Sequence, residues 1–229
     1  MLRALLITIA SSIVLVLLLR WLPPPTSAFM IAARAQAVFG GDFRYRNEYD
    51  WVPLEAISPH AAMAAIAAED QLFPFHTGFD FESIRKAVKH NAKGRRVRGA
   101  STITQQTAKN LFLWSGRSWV RKGLEVYFTV LIEALWPKDR ILEVYLNLAQ
   151  FGRGIYGVQA ASKEFFDKDA AKLTRRQSAL LAAVLPNPIK LRAAAPSPYV
   201  LRRSERIMGQ MRALGGAAYL RQLDDAEPR

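Results

Sequence analysis

The chain contains no cysteine, which excludes disulfide staples and thiolate metal sites while leaving the compartment open. Acidic residues are scarce. There are 19 Asp and Glu against 32 Lys and Arg, a net charge of +13, so the partner is expected to be anionic: nucleic acid, acidic lipid or a phosphorylated substrate. No strand-like alternation and no internal repeat stand out, and no aspartate cluster fixes a metal. About half of the 229 residues are hydrophobic, enough to build a core and to exclude global disorder.

Charge is missing from residues 4–19, ALLITIASSIVLVLLL. As a helix this run reaches roughly 24 Å, and Trp21 and Leu22 extend it past Arg20. Arg20 can snorkel toward headgroups, and Trp21 suits an interface. Pro23, Pro24 and Pro25 then stop the helix. A retained N-terminal transmembrane anchor is expected over residues 1–28. A cleaved signal peptide is the rival, because Thr26, Ser27 and Ala28 are small residues of the right kind. With only Arg3 and the amino terminus before the span, the body is placed on the outer side. An exported body removes most of the case for nucleic acid.

Residues 29–58 read as a connecting segment, and residues 59–229 as one mainly α domain. Ser58 and Pro59 open a helix through HAAMAAIAAED. Further helices are expected over 81–91, 101–113, 119–136, 138–149, 157–166, 174–185 and 199–214. A basic loop at 93–96 and a glycine-rich turn at 151–154 separate some of them.

Three constellations carry chemistry. Glu69 and Asp70 end an apolar helix, with Phe73, Phe75 and His76 following. A carboxyl beside aromatic surface has a raised pKa, as a general base or acid needs; a solvated helix end with His76 as a local partner is the plainer reading. From Ser101 to Asn110, seven hydrogen-bonding side chains accompany one cation. On a helix, Thr102, Gln105, Gln106 and Lys109 share a face that could hold sugar hydroxyls and a phosphate, although an exposed polar helix would look similar. Arg121 and Glu125, with Lys122 beside them and Arg117 upstream, make either an ordinary helix salt bridge or a clamp for a pyrophosphate leaving group.

Together these segments resemble the family 51 peptidoglycan glycosyltransferases, and the size and single N-terminal anchor resemble the monofunctional biosynthetic type. Glu69-Asp70-x-x-Phe73-x-x-His76-x-Gly78 is similar to the first family signature, Gly99 to Asn110 to the second and Arg121-Lys122-x-x-Glu125 to the third. Lys138-x-x-Ile141-Leu142-Glu143-x-Tyr145-Leu146-Asn147, with Gly152-x-Gly154-x-Tyr156-Gly157, resembles the fourth. Ala179 to Ala182 with Pro186-Asn187-Pro188 resembles the fifth.

The resemblance implies a lysozyme-like fold with a head lobe and a membrane-facing jaw, the jaw lying near the stretch from Leu111 to Trp119. It implies transfer of a lipid-pyrophosphate-linked glycan to the 4-hydroxyl of lipid-linked GlcNAc-MurNAc-peptide. The new bond is β-1,4, formed with inversion, and undecaprenyl pyrophosphate leaves. Glu69 is then the base, Glu125 orients or stabilises the donor side, and Lys109, Arg121 and Lys122 neutralise the pyrophosphate. Asp70, Phe73, His76, Ser101, Thr102, Gln105, Gln106, Asn110 and Arg117 shape or contact the substrate. Mg²⁺ or Mn²⁺ is implied by the family alone, and cell-wall or division proteins are further expected partners. The competing class is a lysozyme-like lytic muramidase, which has no pyrophosphate to expel and so no use for that cationic set.

Overall fold

A computed structural model describes residues 1–91, 101–116 and 118–223. The basic loop at 93–96, Gly99 and Arg117 lie outside the described residues. The fold is mainly helical, with ten α-helices among the described residues.

The centre is α3 (Pro59–Glu69). Ser58 accepts from the His60 amide at its start and Pro59 occupies the first turn, as the sequence leads one to expect. Residues Ala61 to Ala67 are all buried, so this helix is apolar all round and takes neighbours on every side. It packs against α9 (Arg175–Val184), α10 (Pro198–Ala213) and the 3-10 segment Gly216–Leu223. A second layer is formed by α5 (Ile103–Phe112), which packs on α6 (Trp119–Leu135) and α7 (Lys138–Leu148). Phe112 and Phe128 stack at 4.4 Å across the α5–α6 contact. The amphipathic α4 (Phe81–Asn91) leads toward α5, and α8 (Val158–Phe166) joins the sheet region to the α9 layer.

Two features depart from the sequence reading. A small three-stranded sheet exists where no ladder was expected: β1 (Glu48–Tyr49), β2 (Gln150–Gly152) and β3 (Ile155–Tyr156) lie in the order β1-β3-β2. β1 runs parallel to β3, with Tyr49 opposite Tyr156, and β2 runs antiparallel to β3. Strands of two or three residues are too short to show a period of two in sequence. The connecting segment also contains a helix, α2 (Ala28–Phe39), capped by Ser27 and docked through the buried Met30.

The N-terminal helix α1 (Leu2–Leu18) has 17 residues. Among the described residues no helix is long and apolar enough to cross a membrane. Nearly all of α1 is exposed apolar surface, with Val16 the buried exception. Its C-terminal end is held by the body. Trp136 donates its indole N–H to Val16 O at 2.7 Å, and Arg140 reaches Leu19 O and Leu22 O. Arg20, expected to snorkel outward, instead donates to Leu135 O at 2.8 Å.

Asn147 ties the two parts of the chain. Fully buried, it accepts from Val52 N and donates to Val52 O and Glu143 O. Gly157 lies against it with φ +83°, where an added Cβ would sit 2.6 Å from Asn147 O. Asn147→Leu strands buried backbone groups and should cost about 2–5 kcal/mol. Urea unfolding monitored by circular dichroism should show the midpoint fall with little change in slope.

Candidate active site

Glu69 closes α3, and the turn after it is fixed by Asp70. The Asp70 carboxylate is buried and accepts from the Ile103 amide at 2.9 Å and from His76 Nε2 at 2.9 and 3.0 Å. The Gly78 amide donates to His76 Nδ1 at 3.2 Å, which leaves the proton of the neutral ring on Nε2, facing Asp70. Thr102 is the N-cap of α5 and forms a capping box with Gln105, while its hydroxyl donates to Gly78 O at 2.7 Å. Gly78 has φ +86°, and a Cβ there would meet Thr129 Cγ2 at 2.7 Å, so only glycine fits between this turn and α6. Phe73 is fully buried under the same turn.

Lys138 completes the brace. Its ammonium donates to His76 O at 2.6 Å and to both Glu133 oxygens at 2.9 Å, and lies 4.7 Å from the Phe73 ring centroid. Thus Asp70, Phe73, His76, Thr102 and Gln105 hold the ends of α3 and α5 together from within. Thr102 and Gln105 do not share an outward polar face with Gln106 and Lys109, as a helix running through Thr102 would imply. The cap stops the helix at Thr102 and turns Gln105 back toward it.

The open side of this brace carries charge. Gln106 donates to Glu69 Oε2 at 3.0 Å, and Arg203 on α10 lies 3.4 Å from Oε1. Burial raises the Glu69 pKa; Gln106, Arg203 and Lys109 pull it back only in part. From α6, Glu125 is 3% exposed and receives Arg121 at 2.8 Å on one oxygen and Lys122 on the other. Glu125, Thr129 and Ile132 form the buried stripe of α6, so this carboxylate is an inward-facing charge matched by two cations one turn away. Lys109 is near enough to both acids to feel their charge. Burial lowers its pKa, while Glu125 and Glu69 both favour its charged form and Arg121 and Lys122 oppose it. Asn110 is half-buried and Ser101 exposed, and neither makes a side-chain hydrogen bond among the described residues.

One carboxyl is therefore held in a setting that favours taking up a proton, and a second is paired with two cations. Proton abstraction at Glu69 and charge neutralisation around Lys109, Arg121 and Lys122 are the chemistry this set can perform.

Residues 36–212 match the Transglycosylase family. The chain belongs to the transglycosylase family. Relatives described as biosynthetic peptidoglycan transglycosylases align over nearly the whole chain. One from Cronobacter sakazakii is 54% identical over 96% of this chain and 92% of its own length. One from Pseudomonas putida is 54% identical over 98% and 94%. One from Pectobacterium carotovorum is 53% identical over 96% and 90%.

Within this transglycosylase, Arg203 is a further neighbour of Glu69, outside the sequence motifs. Its signal was available: it neighbours Val200, Ser204, Ile207 and Met211, the buried stripe of α10, where an unpaired arginine would be costly. A divalent metal does not fit the donors found. Asp70, Glu69 and Glu125 already have their oxygens engaged, and no group of three His, Asp or Glu suited to a metal occurs among the described residues.

The raised Glu69 pKa has a consequence for stability. A carboxyl whose folded value exceeds its unfolded value weakens the fold at higher pH, and that penalty disappears as pH falls through the folded value. Glu69→Gln, which cannot ionise, should melt at a higher temperature than the wild type near neutral pH. The gap should close on acidification toward about pH 4. Thermal melts across that range check this, and an equal or lower melting temperature at neutral pH would contradict it.

Proposed function

We propose that this transglycosylase polymerises the glycan strands of peptidoglycan from a lipid-linked GlcNAc-MurNAc-peptide. The observation that carries the reading is the presence of two carboxylates in unlike settings, Glu69 and Glu125, both coupled to the Lys109 charge. Glu69 removes the proton from the 4-hydroxyl of the incoming disaccharide. That oxygen attacks the anomeric carbon at the lipid end of the growing strand. A β-1,4 C–O bond forms with inversion, the bond from that carbon to the phosphate oxygen breaks, and undecaprenyl pyrophosphate departs with the electron pair. The arrangement parallels the inverting glycosidases, with a sugar hydroxyl in place of water.

Pyrophosphate leaves with more negative charge than it had as a diester. Lys109, Arg121 and Lys122 supply cations where that charge develops, and the Glu125 carboxylate keeps Arg121 and Lys122 aligned. Arg117 is proposed to join them, and Ser101 and Asn110 to meet sugar or phosphate oxygens. A lytic muramidase would leave the three cations without a task. No step is routed through Mg²⁺ or Mn²⁺.

The same reading includes a membrane. α1 spans about 26 Å at 1.5 Å per residue, and the turn through Leu22 adds to it, near the lower limit for a crossing helix. Ser12 on α1 and Tyr127 on α6 lie 2.8 Å apart. On α6, which packs against α1, Trp119, Val120 and Val130 are more than half exposed. We propose that α1 anchors the chain in the cytoplasmic membrane, with the body outside. The lysozyme-like division into head and jaw is proposed with the jaw at this surface.

Glu69→Gln keeps the side chain's size and its neighbours but removes its basicity. Polymer formation at saturating precursor should fall by about 10²- to 10⁴-fold, with folding and precursor binding retained. Glu125→Gln should also be severely impaired. Near-normal strand synthesis by a folded Glu69→Gln protein would sink the assignment of Glu69 as base.

A further inference from the structure

The residues that match the transglycosylase family end at 212, yet the chain beyond them returns to the candidate active site. After α10, Gly215 and Gly216 take φ of +94° and +63°, and this reversal lays the 3-10 segment Gly216–Leu223 against α3. Tyr219 and Leu223 are the buried residues of the segment. The Tyr219 ring meets Phe75 edge-on, with 6.2 Å between centroids. Its hydroxyl donates to Gln71 O at 2.6 Å.

Gln71 is the last of three consecutive residues that are held from different elements. Glu69 is met by Gln106 from α5 and Arg203 from α10, and Asp70 by the Ile103 amide and the His76 ring. The Gln71 side chain folds back to Ala67 O at 3.1 Å, covering a carbonyl that the end of α3 leaves open. Its main-chain carbonyl is taken by Tyr219. Burial raises the Tyr219 pKa, and the Asp70 charge adds to the rise, so the hydroxyl keeps the proton it donates. A neutral donor on a neutral carbonyl fixes the backbone without placing another charge beside Glu69. Packing of a chain end needs only the ring and Leu223; the hydroxyl adds a tie two residues after the proposed base.

We propose that Tyr219 is a positioning residue: through its hydrogen bond to Gln71 O, the C-terminal segment fixes the backbone that presents Glu69 to the acceptor hydroxyl. The reaction served rests on the polymerase reading; the hold on Glu69 does not. Without the bond, the backbone after Glu69 is free to move outward and water reaches the carboxyl. The titratable and charged groups that act on Glu69 or feel its charge are Lys109 from α5, Arg203 from α10, the adjacent Asp70 and Tyr145 from α7.

The test uses the full chain in detergent. Tyr219→Phe removes one oxygen and keeps the ring. Leu173→Ala is the stability control: Leu173 is buried, and its carbonyl accepts from Ser58 at the opposite end of α3, so the change weakens the core away from Glu69. Thermal melts set a temperature at which every variant is folded. With lipid-linked precursor, kcat of Tyr219→Phe should fall about tenfold, short of the roughly 10²-fold that a misplacement of about 1 Å can cost. KM should change little, since the loss falls on the transition state. Titration of the carbon-13-labelled Glu69 carboxyl should move down toward the ordinary glutamate value, because the burial that raises it is relieved. Leu173→Ala should keep wild-type kcat and titration. Leu223→Ala loosens the same segment and should shift both in the same direction by less; it decides if Tyr219→Phe does not fold. A Glu69 titration in the folded variant identical to that of the wild type overturns the proposal whatever the turnover, and so does an equal loss in Leu173→Ala. A wild type that fails to extend precursor overturns the polymerase reading alone, and the titration still decides the positioning.

Discussion

The Asp70 carboxylate accepts hydrogen bonds from the Ile103 amide and the His76 ring while itself buried, and the active region depends on those bonds. They join the C-terminal end of α3 to the N-terminal end of α5. Glu69 is one residue before this joint, and Gln106 and Lys109 are one and two turns beyond it. Removing Asp70 would leave an orphaned amide and ring and free the two helix ends to separate. The neighbouring contacts serve the same end. Thr102 holds Gly78 O, Gly78 gives α6 room to approach, and Lys138 grips His76 O.

With the helix ends fixed, the charges divide the labour. Glu69 has Gln106, which is neutral, as its closest partner and Arg203 at a long 3.4 Å; burial outweighs both and raises its proton affinity. Glu125 has two close cations, one on each oxygen. Under the proposed function, similar side chains are thereby set to different tasks by environment. Lys109 feels the charge of both and is partly desolvated; desolvation strengthens its pull on an approaching anion because little water competes. Buried charge of this kind costs stability, and a site that needs it keeps it at that cost.

Much of this was legible in the sequence. The helix start at Ser58-Pro59, the buried alanine-rich α3 and the Arg121–Glu125 pair follow from capping and spacing alone. The motif order carried the family. What was hidden has physical reasons. The strands are too short for alternation to register, and β1 meets β3 only through a parallel contact more than a hundred residues away. α2 looked like a connection because its alanines carry little amphipathic contrast. By spacing Thr102 falls on a helical face, whereas its side chain is the cap, a choice that depends on one residue's backbone angle. Arg203 acts from a helix distant in sequence, and local pattern does not reveal which charge it meets.

The account turns on Glu69 being a carboxyl with unusual proton affinity in a site rich in cations. Carbon-13 labelling of the glutamate carboxyls, with the Glu69 resonance assigned by its loss in Glu69→Gln, lets that group be titrated directly in the folded full chain. The account predicts that Glu69 titrates above the ordinary glutamate value of about 4.3, and that Gln106→Leu, which removes a donor to the charged form, moves it higher still. Titration at or below the ordinary value in the wild type would contradict the assignment of Glu69 as the proton acceptor.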